Sequence, residues 1–114
     1  MRYRFARRNL ERTHMGPISL FLRAVDPARN CFRSYAIEVA PDLFGVWCVS
    51  LYWGRIGRPG SGVRHAFEGA GPALAFARLQ LRRRLRSKKR IGVAYQVTQA
   101  VGGPAAEVFL AMSG

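Results

Sequence analysis

The hydrophobic period of this sequence changes once, within Gly69-Ala70-Gly71-Pro72, and that change constrains the fold more than any other feature. Before this segment, apolar residues alternate with polar ones, as they do in half-buried β-strands. Beyond it, Leu74, Ala77, Leu81 and Leu85 follow the three- and four-residue spacing of a helix that faces a sheet. Strands followed by one helix predict an α+β fold, a small antiparallel β-sheet with one α-helix packed across it.

Four strand-like segments precede the predicted helix, separated by Gly, Pro and Asp residues that favour turns. They run from Ile18 to Val25, from Cys31 to Val39, from Val46 to Trp53 and from Val63 to Phe67. In the third segment both tryptophans share the parity of the apolar residues between them. We predict that Trp47, in mid-strand, belongs to the core. For Trp53, at the strand end, a core position and a binding position both remain open.

The N-terminal part of the chain differs in composition from the rest. Residues 1–17 contain five Arg and one acid, Glu11, and they end at Gly16-Pro17. This composition is typical of a flexible basic arm that ends at the Gly-Pro break. Met15 offers an alternative natural start.

The C-terminal part is nearly uncharged. Gly92 is expected to end the helix, and residues 93–97 are expected to add an edge strand. Residues 107–112 favour a short docking helix. The predicted organisation is therefore a basic flexible arm (1–17), a folded domain (18–97) and an apolar C-terminal tail (98–114).

Net charge constrains the partners of the chain rather than its fold. Nineteen Lys and Arg face six Asp and Glu, which gives a formal charge of +13 and a pI near 11.5. Seventeen of the basic residues are Arg, which directs two donors at a phosphate and stacks on bases. We therefore expect nucleic acid as the partner. We expect no membrane binding, because the apolar face of the helix is needed for the sheet and no apolar run reaches the ~18–20 residues of a membrane span.

Two groups of basic residues are candidate contacts. The first surrounds a glycine-rich loop and consists of Arg55, Arg58 and Arg64. The second lies along the helix, where residues spaced by four form one ridge that continues into a basic run. Its members are Arg78, Arg82, Arg86, Lys88, Lys89 and Arg90. A solvated basic face is the alternative for this second group.

The sequence offers little to catalysis. It has two histidines, of which His14 lies in the arm and His65 in a strand, and it has no paired carboxylates. Cys31 and Cys48 lack metal-site spacing, and we interpret them as buried thiols in a reducing compartment. The glycines of residues 54–60 do not have the spacing of a dinucleotide or Walker loop. We expect no catalytic, metal or cofactor site, and thus no enzyme.

Several ordered motifs resemble the WGR domain family, which is named for Trp53-Gly54-Arg55. The supporting motifs extend over about residues 18–97 and resemble the short bacterial stand-alone members. They are Asp26-Pro27-Ala28-Arg29-Asn30, Phe32-Arg33-Ser34-Tyr35, Pro41-Asp42-Leu43-Phe44-Gly45, residues 53–60 and the basic run from Arg82 to Gly92. The chain departs from the family after the basic run, where Val93 follows Gly92 and Tyr95 comes two residues later than the usual Tyr.

The resemblance implies a small antiparallel sheet with one helix, and it implies particular contacts. In poly(ADP-ribose) polymerases the motif Trp packs on the sugar at a DNA end, and the motif Arg bridges to DNA or to neighbouring domains. Carried over, Trp53 is the stacking contact and Arg55 is the polar bridge. No part of the sequence resembles the catalytic domain of those polymerases, so the resemblance does not imply ADP-ribosylation.

Charge and resemblance together predict a non-catalytic module that binds nucleic acid, DNA in preference to RNA, at strand ends or breaks rather than at a sequence. We expect it in the cytoplasm, at the nucleoid. The expected contacts are Trp53, Gly54, Arg55, Arg58, Arg64, Arg78, Arg82, Arg86, Lys88, Lys89 and Arg90. The alternative is a protein-interaction domain that docks through Arg55 and the 54–62 loop, with the charge secondary.

Overall fold

The computed structural model describes residues 2–6, 18–88 and 92–113. In this part of the chain six strands form one antiparallel sheet, and two helices accompany it. The strands are β1 (Arg2–Ala6), β2 (Ile18–Asp26), β3 (Cys31–Pro41), β4 (Trp47–Arg55), β5 (Ser61–Phe67) and β6 (Gln96–Val101), and the helices are α1 (Ala70–Leu85) and α2 (Pro104–Ser113). The strand order is β1-β5-β4-β3-β2-β6, and the predicted α+β class is confirmed.

Strand alternation places the largest apolar side chains on the face of the sheet that contacts α1. Leu20, Ile37 and Val49 on three neighbouring strands are fully buried in this core. The buried residues of α1 are Ala73, Ala77, Gln80 and Leu81. Burial of a side chain such as Leu81 contributes roughly 1.5–3 kcal/mol relative to an exposed one. The prediction for Leu85 was wrong, because α1 ends there and the side chain is 37% exposed.

The N-terminal edge of the sheet comes from a segment that the sequence assigned to the arm. Residues 2–6 form β1 and pair with β5, with Arg2 opposite His65. Such pairing uses backbone N–H and C=O groups, which composition and charge do not reveal. The remainder of the predicted arm, residues 7–17 with Met15, lies outside the described residues.

The segment after α1 also differs from the prediction. The helix ends at Leu85 rather than at Gly92. Beyond this end, the buried side chain of Ser87 connects the chain to the segment before β6. The Ser87 hydroxyl donates to the Val93 carbonyl (3.0 Å) and accepts the Tyr95 N–H (3.2 Å). Gly92 has φ 78° and donates to the Lys88 carbonyl (2.9 Å), and it lies beyond the end of α1 rather than at it.

The residues assigned to the tail belong to the folded unit. The edge strand occupies residues 96–101 rather than 93–97, and it pairs with β2 across a bulge between Phe21 and Leu22. The predicted docking helix is longer than expected and forms α2. Its Ala106 and Phe109 are buried in the same core that α1 and the sheet share.

The turn between β3 and β4 is closed by Asp42. Its carboxylate accepts the N–H groups of Phe44 (2.8 Å) and Val46 (2.9 Å), and Gly45 has a left-handed φ of 79°. This geometry leaves Leu43 99% exposed and Phe44 90% exposed. Leu43 and Phe44 come just before the first residue of β4, so they lie at the other end of this strand from Trp53.

The loop after β4 depends on two glycines for different reasons. Gly57 has φ 83°, which suits glycine because it has no Cβ. Gly60 needs space instead, since a Cβ there would overlap the Trp53 carbonyl and lie 3.3 Å from the Gly54 Cα. The loop therefore returns directly against the Trp53-Gly54 backbone.

We expect Gly60→Ala to lower the free energy of unfolding by about 1–3 kcal/mol, because the added methyl group forces the loop away from Trp53. Gly71→Ala is the matched control. Gly71 lies in α1 with nothing within 4 Å of an added Cβ, so alanine should stabilise the protein by up to about 1 kcal/mol. Chemical denaturation measures both values. Unchanged stability of Gly60→Ala would show that the loop does not depend on this close approach.

Candidate nucleic-acid interface

A cleft of about 820 Å³ opens between one side of α1 and the strand ends beside Trp53. Its aromatic and imidazole lining consists of Phe32, Tyr35, Trp53, His65, Phe76 and Tyr95. Its basic lining consists of Arg29, Arg33, Arg55, Arg83 and Arg84. Among the described residues no acid lines the cleft. A concave site that combines flat rings with guanidinium groups suits the bases and phosphates of a nucleic acid.

Trp53 belongs both to the core and to the cleft. It lies opposite Tyr35 on β3 and opposite Ser61 on β5, on the face that packs against α1. Its side chain is half-buried, because part of it packs against the core while another part lines the cleft. The two positions that the sequence left open for Trp53 are therefore compatible, since the core contact fixes the ring beside the open cleft.

The turn between β2 and β3 holds the guanidinium of Arg55. The Asn30 side-chain oxygen accepts Nη2 of Arg55 (3.2 Å), and the Asn30 carbonyl accepts Nη1 (3.5 Å). The guanidinium carbon also lies 5.0 Å from the centre of the Phe32 ring, at cation–π distance. Arg55 remains exposed, so its charge is oriented without being neutralised.

The same turn owes its shape to Asp26. The Asp26 carboxylate accepts the Ala28 N–H (3.1 Å) and lies 3.5 Å from Nε of Arg29. Pro27 begins a single turn of 3-10 helix, and Asn30 ends it with a left-handed φ of 51°. Asparagine tolerates this conformation better than most residues with a Cβ. The motif of residues 26–30 is thus the support that presents Asn30 to Arg55.

Arg84 lines the cleft beside Tyr35. Its guanidinium carbon is 4.4 Å from the centre of the Tyr35 ring, and Tyr35 meets Tyr95 edge to face at 6.1 Å. The Nε atom of Arg84 is buried and has no hydrogen-bond partner within the described part of the chain. Burial raises the pKa of Tyr35, and the positive charge of Arg84 partly opposes this rise. Tyr35 is therefore a neutral phenol at physiological pH.

The structure brings together only part of the contact set predicted from the sequence. Trp53, Gly54 and Arg55 line the cleft. Arg58 is exposed in the following loop but is not among the lining residues. Arg64 lies on the other face of the sheet, where its Nε donates to the Ser50 hydroxyl (3.1 Å). The alternation of β5 places Arg64 there, because its neighbours Val63 and His65 line the cleft.

The predicted helix ridge lies away from the cleft. Arg82 and Arg86 are exposed, and Arg78 is held 5.8 Å from the Phe109 ring of α2. Lys88 lines a separate groove of about 410 Å³ between β2 and the segment before β6. Lys89 and Arg90 lie outside the described residues.

Sequence reasoning missed four of the cleft arginines. Arg83 and Arg84 continue a flank of α1 that begins at Phe76 and Gln80, at the same spacing that drew attention to the other ridge. The sequence shows that spacing, but the spacing alone does not indicate which flank of α1 lies next to Trp53 in the folded protein. Arg29 reaches the cleft from the β2–β3 turn, a position that depends on tertiary contacts. Arg33 lies in β3 on the same face as Tyr35, so strand alternation is the signal that could have found it.

The described residues form neither a metal-binding cluster nor a membrane-spanning helix. No group of three or more His, Cys, Asp or Glu side chains in this part of the chain is arranged to hold a metal ion. Cys48 is buried, Cys31 is half-buried, and both are free thiols. Within the same residues, no helix has the length and apolar character needed to cross a membrane.

An antiparallel sheet crossed by one helix, with an arginine-lined cleft beside a strand-end Trp-Gly-Arg, defines a small α+β domain with a candidate binding cleft. Residues 18–95 match the family model described as WGR domain. Because this match covers more than half of the chain, the protein belongs to the WGR domain family. This is a non-catalytic domain family, and in poly(ADP-ribose) polymerase-like proteins the WGR domain is a nucleic-acid-binding module.

One curated relative carries no functional name. It is the "Uncharacterized protein y4dW" of Sinorhizobium fredii, 43% identical over 51 residues. The matched segment covers 45% of this chain and 25% of the relative, so the similarity concerns about a quarter of that protein. No solved structure is significantly similar to the chain.

The pKa of Tyr35 has a consequence for folding. Because burial raises this pKa above its ordinary value of 10.0, the contribution of Tyr35 to stability is complete below about pH 10 and is lost as the pH rises through the raised value. We expect Tyr35→Phe to reduce the alkaline fall in unfolding free energy, measured by denaturation from about pH 9 to pH 11. Identical pH slopes for both proteins would contradict this. Burial also raises the pKa of Tyr52, so part of the fall should remain.

Proposed function

We propose that this protein binds nucleic acid, DNA in preference to RNA, at strand ends or breaks, and that it performs no catalytic step. The observation that carries the proposal is the position of Trp53, a half-buried ring on the wall of an arginine-lined cleft. A ring fixed in this way can stack on a sugar or base that is accessible only where a duplex ends. The preference for DNA rests on the resemblance to the polymerase WGR domains.

The basic residues divide into two sets in this proposal. Arg55 and the other cleft arginines hold the phosphates next to the stacked nucleotide, because they line the same cleft as Trp53. Arg82 and Arg86 are exposed outside the cleft, and they add a field that attracts any nucleic acid regardless of its ends. Affinity then depends on both sets, whereas selectivity for ends depends on Trp53 and its neighbours.

The packing of α1 supports recognition of structure rather than sequence. An α-helix reads a sequence by entering the major groove with several side chains on one face. In this protein Ala73, Ala77 and Leu81 of α1 are buried against the sheet, and Phe76 and Gln80 line the cleft. We therefore propose phosphate, sugar and stacking contacts. If DNA is the partner, the protein belongs at the nucleoid, in the cytoplasm.

The test is a titration of fluorescent duplexes of equal length that have blunt ends, a nick, or both ends closed by hairpin loops. We expect the open-ended and nicked duplexes to bind more tightly, with Trp53→Ala weakening them about tenfold while affecting the closed duplex much less. Trp53→Phe is the matched variant, since a smaller ring should retain part of the preference. Added salt should lower the affinity. The logarithm of the binding constant should fall linearly with the logarithm of the salt concentration, with a slope of about −0.9 for each phosphate neutralised.

Equal losses for open and closed duplexes would show that Trp53 is a structural residue only. Binding that is absent, or that does not depend on salt, would contradict the proposal as a whole. That result would favour the alternative, in which Arg55 and the 54–62 loop dock another protein.

A further inference from the structure

The size of the cleft limits what can occupy it. At about 820 Å³ it falls within the roughly 300–1,000 Å³ range of sites that enclose small molecules. A base inside a duplex reaches such a site only if it is extruded, which costs the energy of unstacking and unpairing. An unpaired nucleotide at the end of a strand has no base pair to break, so this cost is smaller. The cleft thus suits a nucleotide that protrudes from a duplex better than the duplex itself.

The strand side and the helix side of the cleft both carry aromatic rings. Trp53 lies on the strand wall, while Phe76 of α1 lies 4.6 Å from the His65 ring of β5, centre to centre. Stacking on such rings stabilises any base, because every base has a flat π-face. The cleft lining therefore favours binding of a base but does not discriminate among the different bases.

Two neighbouring arginines of α1 line the cleft and offer donors that suit a phosphate. Arg84 is half-buried beside Tyr35, and its guanidinium adds a positive charge to the lining. Arg83 is exposed next to it, and among the described residues no acid lines the cleft to compete for either guanidinium. A phosphate oxygen is the acceptor that this arrangement fits best.

We infer that the cleft takes one unpaired nucleotide at a strand end, with its base against Trp53 and Phe76 and its phosphate at Arg83 and Arg84. This inference rests on the proposed function and narrows it to ends that carry an overhang or flap. The same chemistry exists in a free mononucleotide, so the experiment must separate the two sources.

The experiment compares four fluorescent DNA molecules with the same duplex and one closed end. The other end is blunt, closed by a second hairpin, extended by one nucleotide, or extended by one abasic nucleotide. We expect the one-nucleotide overhang to bind roughly tenfold more tightly than the blunt end, because one base gains stacking. The abasic overhang should bind like the blunt end, because it has nothing to stack.

Matched arginine variants locate the contact. We expect Arg83→Gln to remove most of the advantage of the overhang, and Arg84→Gln to do the same. Arg82→Gln, which changes the same charge on an exposed side chain of the same helix outside the cleft, should lower the affinity for all four DNAs equally. Since Arg83 and Arg82 are both exposed, neither substitution is expected to disturb folding, which circular dichroism checks.

The outcomes separate the inference from the proposed function. If the blunt, abasic and full overhangs bind equally but more tightly than the doubly closed DNA, the inference is wrong and end recognition stands. If all four bind equally, end recognition itself fails. A competition with nucleoside monophosphate decides the source. Weak competition supports a strand end, whereas competition as strong as that of the overhang DNA would overturn the inference in favour of a free nucleotide.

Discussion

The contact between α1 and the apolar face of the sheet is the interaction on which the rest of this structure depends. Ala73, Ala77 and Leu81 are fully buried in it, and two of these three side chains are single methyl groups. Small side chains let a helix lie close to the surface it packs on. Because all three residues lie on one side of α1, their burial fixes the rotation of the helix about its axis. That rotation turns the Phe76–Arg84 flank toward Trp53 and leaves the cleft between them.

The family motifs make physical sense as supports for one exposed guanidinium and one ring. Asp26 shapes the turn, Asn30 ends it in a left-handed conformation, and its side chain accepts from Arg55. Gly60 closes the loop against the backbone of Trp53, where any Cβ would collide. The Trp-Gly-Arg tripeptide is therefore one part of a larger arrangement, which holds the Trp53 and Arg55 side chains in place without a ligand. Such preorganisation lowers the entropy that is lost on binding.

Local patterns predicted the local elements well, because side-chain alternation and helical spacing follow directly from backbone geometry. They identified β2 to β5 and the start of α1. They could not identify β1, since strand pairing uses backbone groups that every residue has. The candidate site was only partly predictable. Trp53 and Arg55 were found from their motif, whereas Arg29 enters the cleft from a distant turn and Arg84 depends on the rotation of α1.

Trp47 and Trp53 provide an internal comparison, because they lie on the same face of the same strand at opposite ends. NMR can follow the indole N–H signals of both residues while a duplex with an open end is added, which tests directly whether Trp53 is the stacking contact. If it is, the Trp53 signal shifts in a saturable way and the Trp47 signal stays in place. A shift of Trp47 with Trp53 unchanged, or no shift of either under conditions where the DNA binds, would contradict this role of Trp53.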